Sequence, residues 1–121
     1  DSRFFRYGCE DVDLCWRVSA GGYKVALTSE AYIHHFKHVS VEASNLDRRA
    51  LTEGNMRVFY EKWKNEINQF LTAKLREGID VKKRLCEEDP DYWFLSRLEG
   101  VVGTERFWQS IEGIKSGKER I

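Results

Sequence analysis

Glu10, Asp11 and Asp13 crowd the start of the stretch YGCEDVDLCWRVSAGGY, residues 7 to 23, where the pattern turns helical. Two kinds of chemistry fit acids in such a place. Carboxylates in a first helical turn complement the macrodipole, so they can be simple caps. An ionised carboxylate held there can also take a proton from a substrate. Asp11-Val12-Asp13 does not make a chelating Asp-x-Asp pair, because residues two apart on a helix point to different faces. The second group of candidates is His34, His35 and His38. On a helix, His34 and His38 would share a face as metal ligands, but AYIHHF reads as extended, and no Cys-x-x-Cys or His-Glu-x-x-His framework accompanies it. Taken alone, the acids read as caps and the histidines as surface or packing residues.

The elements that would position these groups follow from periodicity and punctuation. Asp11, Leu14, Cys15 and Val18 recur at spacings of three and four, which predicts a helix from Glu10 that carries them on one face. Asp13 and Arg17 form a surface pair in the favourable orientation. Gly21-Gly22 ends the helix. YKVALTS, residues 23 to 29, alternates and is rich in β-branched residues, so it reads as a strand, and AYIHHF as a second short strand. From about Val41 the chain is helical, with Leu51, Asn55, Val58, Phe59, Trp63, Ile67, Phe70, Leu71 and Leu75 as its apolar stripe and Gly78 as its stop. Three shorter helices follow: IDVKKRLCEE, then DPDYWFLSRLEG with Asp89 as N-cap and Pro90 at the first position, then TERFWQSIEGIKSG with Thr104 as N-cap. In the last of these Phe107, Trp108 and Ile111 are the apolar positions.

Composition bounds the answer. A chain of 121 residues suffices for one domain with a modest core, and 41% hydrophobic and 13% aromatic residues mark it as folded. Twenty basic and 20 acidic residues balance, so no general attraction to nucleic acid is expected. The three cysteines form no Cys-x-x-Cys pair and suit a reducing compartment. No apolar run approaches the length of a transmembrane helix. A cytoplasmic setting follows from these features. Lys62, Lys64 and Lys74 leave the inner face of a membrane open, although Glu61 and Glu66 dilute the basic face. The start at DSRFFRYG, without Met, leads us to expect a piece of a longer protein.

In order and spacing, GCEDVDLCWRVSAGGYKVALTSEAYIHH resembles the C-terminal half of the catalytic domain of family 2 glycosyltransferases with the GT-A fold. The matching features are Glu10-Asp11, Asp13-Leu14, Arg17, Gly22-Tyr23, a His at 34 or 35, and Ser40. NMRVFYEKW, residues 55 to 63, resembles the Asn-x-x-x-Phe-x-x-Lys-Trp stretch that often follows in that family. The resemblance covers about the first half of the chain, and residues 66 to 121 match no pattern of the family. Cys9, just before the acid pair, has no counterpart either.

The resemblance implies roles. Asp11 would be the catalytic base of an inverting transfer, and Glu10 would orient the acceptor or the base. Arg17 and Ser40 would lie on the substrate side, Arg17 also serving the helix surface with Asp13. A His, at position 35 or alternatively 34, would help bind the divalent cation, Mn²⁺ or Mg²⁺, that offsets charge on the leaving diphosphate. Successive strand residues face opposite ways, so only one of the two can point into the site. The implied partners are a nucleotide-sugar donor and a carbohydrate or other hydroxyl acceptor. The family's nucleotide-binding half would precede residue 1, so the chain alone is expected to be inactive. The expected architecture is α+β and mostly helical: residues 1 to 65 as the C-terminal portion of a GT-A type α/β glycosyltransferase domain, and residues 66 to 121 as a helical extension. The alternative is a non-catalytic helical interaction or oligomerisation module, a homodimer included, that retains a glycosyltransferase-like scaffold. Trp93, Phe107 and Trp108 in the unmatched tail speak for it. A metal-dependent hydrolase using His34, His35, Asp11 and Asp13 would need further ligands.

Overall fold

Glycines and aspartates punctuate this chain, and its helices stop and start at them. The computed structural model describes residues 1–4, 8–34, 47–87 and 89–116. Five α-helices run through them: α1 (Glu10–Ala20), α2 (Arg48–Arg76), α3 (Val81–Cys86), α4 (Trp93–Val102) and α5 (Thr104–Ser116), with a 3₁₀ turn at Pro90–Tyr92 before α4. The chain divides into two compact units, residues 1–59 and 60–121, and the division falls within α2.

Helix ends follow local chemistry. At the end of α1, Gly22 N–H donates to the Ser19 carbonyl (3.1 Å) and Tyr23 N–H to that of Val18 (3.2 Å). This is a Schellman closure with Gly22 left-handed at φ 89°. The same closure ends α2, where Gly78 adopts φ 83° and Ile79 N–H reaches the Lys74 carbonyl at 3.1 Å. Asp47 caps α2 by accepting from Ala50 N–H (3.1 Å), and residues 41–46 of the expected helical stretch lie outside the described residues. Asp80 caps α3 through Lys83 N–H (3.2 Å), and Asp89 accepts from Asp91 N–H (2.9 Å). Thr104 is the first residue of α5 and not its cap: Phe107 N–H donates to the Gly103 carbonyl, which places the cap one residue earlier.

The α+β expectation is overturned. Among the described residues there is no strand, and residues 23–28 and 31–34 have no regular structure. The alternation in YKVALTS is real, but a strand gains its stability from a paired neighbour and a covered face. Here Tyr23, Val25, Leu27, Tyr32 and Ile33 are all exposed, so neither condition is met. Residues 35 and 36 of the second expected strand lie outside the described residues.

In the first unit the face of α1 that carries Leu14 and Cys15 is exposed, whereas Asp13, expected in a surface pair with Arg17, is buried and Trp16 is half-buried. The Trp16 ring meets Phe59 edge-on, with centroids 5.2 Å apart and planes at 81°. Asn55, Met56 and Phe59 are the buried residues that α2 gives to this unit.

In the second unit the buried face of α2 continues through Tyr60, Trp63, Ile67 and Leu71, with the polar Asn68 and Thr72 among them. Phe70, expected in the stripe, lies at its margin and is 38% exposed. Val81 and Leu85 of α3, Tyr92 of the 3₁₀ turn, Leu95 and Leu98 of α4, and Phe107, Trp108 and Ile111 of α5 are the other buried apolar residues among those described. Polar ties join these helices. Ser96 Oγ donates to the Leu85 carbonyl at the end of α3 (3.1 Å), and Lys82 Nζ lies 5.3 Å from the Trp108 ring centre.

Glu61 accepts from Lys64 Nζ (3.2 Å) and from the Arg106 guanidinium, which also stacks over Tyr60. The Lys64 hydrogen bond, reinforced by Arg106 and opposed by partial burial, holds the Glu61 carboxyl below the usual glutamate range of about 4.5. A carboxyl lowered on folding binds fewer protons in the native state, so stability rises with pH across its titration. Its contribution is therefore present above about pH 4.5 and lost as pH falls through the lower native value. Glu61→Gln should cost up to about 1 kcal/mol at pH 7, the scale of an exposed ion pair. That difference should vanish in acid. Urea unfolding of both proteins between neutral and acid pH checks it, and a gap that widens towards low pH would contradict it.

No helix among the described residues is long and apolar enough to cross a membrane.

Candidate functional site

The acidic turn is entered through an unusual backbone. Gly8 has φ 98° and Cys9 has φ 69°, the latter being the left-handed N-cap of α1. A left-handed conformation is uncommon for a residue with a side chain and persists where the surroundings hold it. Here Cys9 is buried, and the Gly8 carbonyl accepts a hydrogen bond from Asn55 Nδ2 on α2 at 2.9 Å. Cys9 provides no side-chain cap to α1. Its carbonyl accepts from Asp13 N–H (2.9 Å), closing the first turn.

The three acids then diverge. Glu10 and Asp11 are exposed. Asp11 Oδ1 accepts from Val12 N–H (2.8 Å), which fixes the carboxylate against the first turn while it faces solvent. Asp13 is 1% exposed, and its Oδ2 accepts from Arg17 Nε at 3.0 Å. A buried carboxylate needs such a partner, so Asp13 and Arg17 act together in seating the helix. Arg17 itself is exposed along its edge. Leu14 and Cys15 lie three and four residues beyond Asp11 and share its outward face.

The structure brings Glu10 and Asp11 side by side at one exposed turn, with Arg17 on the same helix. His34 lies in the irregular segment after α1, exposed, with Tyr32 Oη 3.4 Å from its Nδ1. His35, His38 and Ser40 lie outside the described residues. Among the described residues no three His, Cys, Asp or Glu side chains gather closely enough to hold a metal ion.

Two residues of this turn carry no obvious chemical signal in the sequence. Cys9 matters through its backbone conformation. Asn55, read as part of an apolar stripe, acts through its amide on a carbonyl 47 residues away. The only sequence feature that marks it is its place at the head of NMRVFYEKW.

Compared with known proteins, the chain matches no family model, no curated protein and no solved structure.

Proposed function

We propose that the chain is part of a nucleotide-sugar-dependent glycosyltransferase and supplies its catalytic base, Asp11. In this reading the Asp11 carboxylate accepts the proton of an acceptor hydroxyl. The acceptor oxygen forms its bond to the anomeric carbon as the bond from that carbon to the nucleoside diphosphate breaks on the opposite face, which inverts the configuration. Glu10, adjacent and exposed, orients the acceptor. Arg17, beyond its tie to Asp13, and Ser40 stand on the substrate side. His35 or His34 would offer one ligand to Mn²⁺ or Mg²⁺, which would supply charge compensation for the leaving diphosphate. The setting that goes with this reading is cytoplasmic, at or away from a membrane face.

One observation supports it above the others. The two stretches that carry the resemblance are far apart in the chain but meet in one unit: Asn55 bonds the Gly8 carbonyl, and Phe59 takes the edge of Trp16. The meeting leaves Asp11 outward, open to a substrate, and Asp13 inward against Arg17.

The reading is tested with the full-length gene product, a panel of nucleotide sugars and hydroxyl acceptors, and Mn²⁺ or Mg²⁺. Transfer that is lost in Asp11→Asn with donor binding kept is the expected result. Transfer unchanged by the substitution would overturn the assignment. The exposure of Tyr23, Val25, Leu27, Tyr32 and Ile33 favours a second reading, an interaction module that covers this segment with a partner or a second copy. Stable self-association without transfer would favour it.

A further inference from the structure

We infer that Asn55 is a positioning residue for the acidic turn: by holding the Gly8 carbonyl, its side-chain amide keeps Cys9 left-handed and so sets where Asp11 presents its carboxylate. The inference rests on the reading of Asp11 as the base.

The Gly8 carbonyl belongs to the peptide plane that links Gly8 to Cys9. Rotation of that plane changes ψ of Gly8 and φ of Cys9 together. Asn55 Nδ2 reaches this oxygen at 2.9 Å, and Asn55 is 3% exposed, so the amide is itself held in place. It is rooted on α2, a 29-residue helix whose neighbouring Phe59 is fully buried. The plane is thereby referenced to α2.

Thr52, one turn earlier on α2, closes the other side. A Cβ on Gly8 would come within 3.3 Å of both Thr52 Cα and Thr52 Oγ1, so the backbone lies close against the helix. At φ 98° a side chain would also be strained. Gly8 thus permits the close approach, Asn55 fixes the direction of its carbonyl, and Cys9 follows at φ 69°. Without the amide, Cys9 would relax towards the negative φ that residues with side chains prefer. Because Cys9 is the N-cap, that relaxation re-aims Glu10 and Asp11, the next two residues. Trp16 against Phe59 would still hold the far part of α1 in place. Loss of the amide is therefore felt at the first turn and not throughout the unit.

The test uses the full-length gene product with Asn55→Ala, Asn55→His and Asp11→Asn. Asn55→His keeps a ring N–H at similar reach. Hydrogen exchange in peptides covering residues 10–14 should quicken about tenfold or more in Asn55→Ala, with peptides covering 93–102 unchanged as a control for global folding. In turnover, kcat should fall by about tenfold or more, within the roughly 100-fold that a misplacement of about 1 Å can cost. The donor KM should stay within about twofold, because the loss lies in the chemical step. Asn55→His should recover part of both losses. Unchanged exchange at 10–14, or a raised donor KM with kcat intact, would overturn the inference. Transfer retained in Asp11→Asn would sink the reading of the base instead, while the exchange result would still decide whether Asn55 holds the turn. Asp11→Asn dead with Asn55→Ala at full kcat would leave the base in place and remove the role of Asn55.

Discussion

Asp11→Asn should slow glycosyl transfer by roughly 10²–10⁴-fold, the contribution of a positioned general base. The substitution is chosen for what it leaves intact. Asparagine has the shape of aspartate, and its carbonyl oxygen can still accept the Val12 N–H that Asp11 Oδ1 now accepts at 2.8 Å. The first turn of α1 should therefore keep its geometry, and the Trp16–Phe59 contact is remote from the change. What disappears is the capacity to take a proton. The loss should fall on kcat, with donor affinity unchanged, because Asp11 is assigned to the acceptor side of the reaction. Isothermal titration with the nucleotide and steady-state kinetics with the sugar donor separate the two quantities. A change confined to donor affinity would place Asp11 on the wrong substrate.

Phe59→Ala should destabilise the protein by about 3–5 kcal/mol, the usual cost of removing a fully buried phenylalanine ring. Phe59 has no exposed surface, and it is the ring on which Trp16 of α1 rests. Its removal deletes apolar burial and leaves a cavity on the inner side of α1. Relaxation into that cavity is restricted, because α2 is held by its own buried face and Asn55 sits one turn away. With native stabilities of about 5–15 kcal/mol, such a loss consumes a large share of the total. Phe70→Ala is the natural comparison, since Phe70 is 38% exposed on the same helix and should cost markedly less. Urea unfolding of both variants checks the contrast. Equal losses would contradict the predicted contrast between the fully buried ring and the partly exposed one.

Much of the helical architecture was legible because its boundaries are written in single residues. Gly21-Gly22, Gly78 and Asp89-Pro90 mark ends and starts by local backbone chemistry, which needs no knowledge of the rest of the fold. The stripe of α2 was legible for a similar reason, although Phe70 lies at its edge and Asn68 and Thr72 are buried within it. The two strands were misread because alternation in YKVALTS is local while strand pairing is not. The inner face of α1 was not legible, because apolar periodicity groups Leu14, Cys15 and Val18, which are not the residues it buries. What the helix buries is Trp16 and a carboxylate neutralised by Arg17, and an ion pair is invisible to a count of apolar positions. The acidic turn was legible as the start of a helix, and the role given to Asp11 came from the resemblance, while its exposure is read only from the structure. The amide that holds the turn was not legible, since it joins residues 47 apart. His35 and Ser40 lie outside the described residues, so the cation and substrate side of the site rests on the resemblance.

The measurement that bears most directly on the central claim is single-turnover transfer by the full-length gene product at saturating donor and acceptor, run side by side for wild type, Asp11→Asn and Glu10→Gln. The two acids are neighbours, both exposed, and both near the N-terminus of α1, so a general electrostatic role would make them equivalent. A base at Asp11 predicts a rate constant lower by roughly 10²–10⁴-fold for Asp11→Asn and a much smaller loss for Glu10→Gln. Equal rates for the two variants, or a wild-type rate for Asp11→Asn, would contradict it and leave the acids as helix caps.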